Sequence, residues 1–140
     1  MAEPAGRPLR FDYAVVRVVP RVERGECVNA GVLLHCRPLD FLAAAVDADE
    51  ARWLALDGHL DPGVVRAHLA ALQLVCAGIG PAGSSTPGER FRWLTAPRST
   101  VVQAGPVHGG VTTDPAAELA RLAALLLGPP GPPGPRRPAG

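Results

Sequence analysis

The chain has 140 residues, room for one domain built around a single core. Hydrophobic residues make up 47% and charged ones 19%, which suits a globular protein and excludes global disorder. The formal net charge of +1 gives no overall field toward nucleic acid or a membrane surface. All fourteen basic residues are arginine, alongside abundant alanine, glycine and proline. That bias is the mark of GC-rich coding and lowers the weight of any single arginine.

Residues 1–9 are polar and proline-bearing and are expected to form a loose N-terminal arm. They hold no apolar signal core, and the longest apolar stretch, Leu119–Leu127, is too short for a membrane span and is broken by Arg121. A cytoplasmic protein without membrane association is expected. Cys27, Cys36 and Cys76 are odd in number and form no CxxC pair, so reduced thiols are expected rather than a disulfide framework.

The globular domain is expected over residues 10–127. Its first element is a strand in FDYAVVRVV, rich in β-branched and aromatic residues and ended by Pro20. RVERGE is a tight connection to a second strand, CVNAGVLLHC, and a turn at Arg37-Pro38 leads to a third over about 40–46. Short links favour an antiparallel meander. A short helix follows at 51–56, and a longer one opens at Asp61-Pro62, with Val65, His68, Leu69, Leu72 and Cys76 at helical spacing and Gly78 closing it.

GPAGSSTPGE over 80–89 is expected to be a flexible loop. RFRWLTA alternates like a strand, with Trp93 facing the core, and Ala96-Pro97-Arg98 turns into a fifth strand in STVVQA. The glycine-rich GPVHGG is expected to be a loop, after which Asp114 caps a final helix with Leu119, Leu122, Ala123 and Leu126 as its buried stripe. The predicted fold is therefore α+β: a mainly antiparallel sheet of about five strands, in the order β-β-β-α-α-β-β-α, covered by helices on one side. Residues 128–140 are expected to be a disordered Pro/Gly-rich tail, too short for a collagen helix.

Chemistry-bearing residues gather in two places. Glu23, Arg24, Glu26 and Asn29 surround two glycines, Gly25 suited to a positive-φ turn and Gly31 to close backbone approach. Glu23 and Glu26 are candidates for acid/base work, with Arg24 available to an anion, against the plainer reading of a solvated hairpin whose charges pair with one another. Asn29, an amide in an apolar strand, is a candidate contact residue, or is held by a neighbouring backbone. Arg92, Arg98 and Ser99 are candidates for binding a phosphate or a partner. His108, between glycines, is the best candidate general acid or base, while His35, His59 and His68 are read as structural or exposed. No metal or cofactor motif and no catalytic signature is present.

The stretches FDYAVVRVVPRVERGECVNAGVLL and RFRWLTAPRSTVVQAGPVHGGVTTDPAAEL resemble the two signature blocks of the bacterial family Domain of Unknown Function 3037. The resemblance covers roughly residues 10–127. It implies a compact bacterial cytoplasmic protein, supplies no activity, and suggests a HipA-like kinase as a protein partner. Glu23, Arg24, Glu26, Asn29, Arg92, Arg98, Ser99 and His108 match the family's polar pattern, and if the hairpins enter the sheet alongside each other, the two blocks converge at one edge on a single polar site. Three functions are therefore set out: an accessory or regulatory protein-binding domain first, a small enzyme or ligand-binding domain for a phosphate-bearing molecule as the alternative, and nucleic-acid binding last, since a charge of +1 offers it little affinity.

Overall fold

The structure, a computed structural model, describes residues 6–127. Strands β1 (Leu9–Val18), β2 (Val28–Cys36) and β3 (Phe41–Val46) come first, followed by helices α1 (Glu50–Leu56), α2 (Pro62–Cys76) and α3 (Pro87–Thr95), then strand β4 (Val102–Thr112) and helix α4 (Pro115–Leu126). Short 3-10 turns lie at Arg37–Leu39 and Pro81–Ser84. The four strands form an antiparallel sheet in the order β3-β2-β1-β4. The fold is α+β with four strands rather than five. Leu9, expected in the arm, is already in β1 and pairs with Thr112, and residues 1–5 lie outside the described residues. The proline-rich tail read at 128–140 lies outside the described residues.

The sheet carries helices on both faces, not one, because β1 and β2 are apolar in both directions. Val16, Val18 and Leu33 point into a cluster with Trp53, Val65, Leu69, Phe91 and Leu94, the faces of α1, α2 and α3. Phe11, Val32, Leu34 and Cys36 point the other way, onto Leu119 and Leu122 of α4. Each of these buried side chains contributes roughly 1.5–3 kcal/mol relative to exposure. The result is three layers. Gly31 serves the close packing expected of it, since a Cβ there would stand 3.0 Å from the Ala45 carbonyl oxygen.

The stretch expected to be the fourth strand is α3. Thr86 Oγ1 accepts the Glu89 N–H while the Glu89 carboxylate accepts the Thr86 N–H, a capping box with Pro87 in the first turn. Phe91 and Leu94, three apart, are its buried residues, and Trp93 points outward, 58% exposed, instead of into the core. The expected fifth strand extends through GPVHGG to form the 11-residue β4. Its proline is tolerated because β4 is an edge strand and Gly105-Pro106 form a bulge opposite Val15.

Helices α2 and α4 begin where the sequence places them. Asp61 Oδ1 accepts the Gly63 N–H, and Asp114 Oδ1 accepts that of Ala117. Among the described residues no helix is long and apolar enough to cross a membrane. The three cysteines are free, Cys27 exposed and the others buried, and burial pushes the Cys76 thiol up to about 11.

Candidate functional site

The β1–β2 connection turns at Gly25, whose φ of 70° is the left-handed value a glycine accepts without strain. Its charges pair locally. Arg24 Nη2 donates to Glu26 Oε2 at 2.9 Å, and Arg21 lies 3.8 Å from Glu23 and 3.6 Å from Asp57 at the end of α1. Asn29 is not free either: its Nδ2 donates to the Leu126 carbonyl at 3.0 Å. Arg52 donates to the Leu127 carbonyl at 2.9 Å, so strand and helix together satisfy the C-terminus of α4.

Arg98 does the same for α3. Its guanidinium donates to the Trp93 carbonyl at 2.7 Å and sits 4.4 Å over the indole ring. Ser99 follows it, exposed. Arg92 projects from the exposed side of α3. His108 is in strand rather than loop, paired with Tyr13 and with its ring 5.3 Å from that tyrosine's.

The two blocks therefore do not build one site. Tyr13, beside His108, lies five residues from the hairpin end of β1, about 17 Å along an extended strand. His108 also shares the α4 face with Tyr13, whereas Arg92 lies on α3, and Arg98 just after it, on the opposite face. A single catalytic centre of Glu23, Arg24, Arg92 and His108 is ruled out by this spacing. Among the described residues no group of three or more His, Cys, Asp or Glu side chains could hold a metal ion.

Two other places have the shape of a site. The larger is an apolar groove of about 400 Å³ between α2, α3 and the start of β4, with Val16, Leu72, Val75, Trp93, Leu94 and Val102 in its walls. His68, Arg98 and Gln103 are polar lining residues of the same groove. Cavities of this size fall in the range that binds ligands or partner side chains. It opens beside the edge strand, whose outer side has no partner among the described residues.

The smaller, of about 300 Å³, lies at the far end of the sheet from the first hairpin and is lined by Arg10, Phe11, Asp12, His35, Arg37 and Pro38. His35 is only 9% exposed and stacks on Phe91 with ring centroids 5.4 Å apart. Burial lowers its pKa and is the largest cause; Asp12 opposes it, and Arg37 and Arg92 add smaller effects in the same direction as burial.

Of the expected site residues, Arg98 lines the first place and Arg92 stands beside His35 at the second, while the other lining residues carry no expectation of a site. Trp93 was assigned to the core because α3 was read as a strand. The second has no local signal, since Asp12 stands opposite His35 only through the register of the β1–β2 hairpin. A family model described as Protein of unknown function (DUF3037) matches residues 13–127. No curated protein and no solved structure matches the chain.

Proposed function

The chain belongs to the DUF3037 family, and from that premise we propose that it is a bacterial, cytoplasmic accessory domain that works by binding another protein. The observation that carries this reading is the apolar groove beside Trp93. An indole 58% exposed at the mouth of a 400 Å³ apolar cavity is a costly surface to leave in water, and aromatic anchors of this kind dominate protein interfaces. Arg98 holds the indole from one side by its cation–π contact and by capping α3, so the ring is presented in a fixed position.

The adjoining edge of β4 favours the same reading. It offers unpaired backbone donors and acceptors next to the groove, and β4 carries no lysine or acidic residue to repel an added strand. The family resemblance makes a HipA-like kinase the first partner to test.

The test is binding of the purified chain to such a kinase from the same genome, by size-exclusion chromatography and calorimetry, with Trp93→Ala beside the parent. A complex that weakens by tenfold or more in the variant is the expected result, since interfacial tryptophans commonly contribute about 2 kcal/mol or more. A chain that stays monomeric, binds no kinase and retains nothing from its native cytosol overturns the reading.

A further inference from the structure

We propose that the cavity at the Cys36 end of β2 is a binding site for a small phosphate-bearing anion, held by Arg10, Arg37 and His35, with Arg92 and the first turn of α3 set against the histidine. The site is separate from the groove at Trp93: the two cavities share no lining residue. It therefore stands or falls apart from the protein-binding reading.

Three observations converge on it. The first is His35, which lines the cavity while nine-tenths buried, and whose ring nitrogens make no hydrogen bond among the described residues. Arg90 Nε is the fully buried side-chain polar atom without a partner among the described residues, so the His35 nitrogens keep contact with solvent, and an imidazole open at a cavity can donate to a ligand. Phe91 fixes the ring from one side by stacking, so its orientation does not depend on the ligand.

The second is the state of the arginines. Arg10 and Arg37 line the cavity, and Arg92 is close enough to act on His35 electrostatically. None of the ion pairs among the described residues involves any of the three. Guanidinium groups present a fork of donors that matches the oxygens of a phosphate. Among the lining residues Arg10 and Arg37 stand against the single carboxylate of Asp12; outside the lining, Asp40 acts on His35 and Glu89 on Arg92.

The third is the start of α3. A Cβ added at Gly88 would lie 3.4 Å from His35 Cε1 and 3.6 Å from Arg92 Nη1, so the first turn of a nine-residue helix borders the histidine directly. Pro87 has no N–H, and that of Glu89 is taken by Thr86, which leaves the Gly88 amide as the first-turn donor. A helix N-terminus is electropositive and suits an anion. The cavity's volume sits at the lower end of the ligand-binding range, which favours a small phosphate ester over a large substrate.

Binding of a dianion beside His35 stabilises its imidazolium, which then donates to a phosphate oxygen. The full chain is titrated with inorganic phosphate, and separately with phenyl phosphate, at constant ionic strength, following the histidine ring resonances by NMR. A saturable shift confined to the His35 resonance is expected, together with a rise in the pH at which that ring titrates. Arg37→Gln, an exposed position that leaves the core intact, should weaken the effect about tenfold, the value of one charge-assisted hydrogen bond. Trp93→Ala and Arg24→Gln should leave it unchanged. An equal response to chloride, or a weak unsaturable shift of all four histidines, overturns the proposal. So does an affinity unchanged in Arg37→Gln and in Arg10→Gln.

Discussion

The two ends of the β1–β2 hairpin hold similar numbers of charges and arrange them in opposite ways. At the turn, Arg21 and Arg24 face Glu23, Glu26 and Asp57 within 4 Å, and most of these side chains are well exposed. At the open end, Arg10 and Arg37 line a cavity with the buried His35, Arg92 acts on it from α3, and none of the three makes an ion pair among the described residues. Charge that is already paired in water has little left to offer a ligand. Charge held unpaired beside a desolvated imidazole does. A polar cluster is a candidate site when its groups are left unsatisfied at a cavity, and the density of charged letters in the sequence does not report that.

The sharpest way to break this contrast is to remove the floor under His35. Phe91→Ala deletes a buried ring from the core on the α2–α3 side and should cost about 3–5 kcal/mol, measured by chemical denaturation. A loss below about 1 kcal/mol would mean that the ring, and His35 with it, is not held as described.

Proton linkage gives the second test. Burial sets the His35 pKa below its ordinary 6.5 in the folded chain. As pH falls through 6.5 the unfolded chain takes up a proton that the folded chain refuses, so this contribution is complete above 6.5 and is lost between 6.5 and the lower folded value. Stability measured from pH 7.5 down to 5 should therefore decline, and His35→Gln should flatten the decline. An unchanged slope in the variant would assign that proton to another group. A smaller effect is expected from Thr86→Ala, which removes one half of the capping box of α3 and should cost about 1 kcal/mol. No loss would mean that Thr86 does not anchor the helix turn bordering His35.

Those residues also mark what was legible in the sequence. Strands β1 to β3 read directly from their β-branched runs, and α2 and α4 from Asp-Pro starts followed by leucines at helical spacing. Phe91, Trp93 and their arginine neighbours fit a two-residue period over only a few positions. The helical signal is Thr86 with Glu89 three positions on, and it sits inside a stretch whose proline and glycine read as loop. Proline misled again at Pro106, since an edge bulge accepts what a central strand refuses.

The site was less legible than the fold for a related reason. Asp12 and His35 are 23 positions apart and meet only through hairpin register, and Gly88 and Arg92 reach them only because 87–95 is a helix. His108 and Arg98 drew notice as isolated letters. The former packs its ring at a tilt against Tyr13, and the latter caps α3.

The smallest expected effect is at the turn itself, and it bears most directly on the contrast between the two ends. Arg24 and Glu26 form the shortest ion pair there, at 2.9 Å, with side chains 60% and 49% exposed. Water already solvates both groups, and holding two long side chains together costs entropy, so the pair contributes little to folding. Arg24→Ala should melt at a temperature indistinguishable from the parent and bind phosphate no differently. Glu26→Gln should behave the same way, although it leaves Arg24 without its carboxylate and so frees one guanidinium. If freeing that arginine created phosphate binding equal to that at His35, unpaired charge alone would suffice. Binding that stays at the far end of the hairpin would mean that burial and the α3 N-terminus are needed as well.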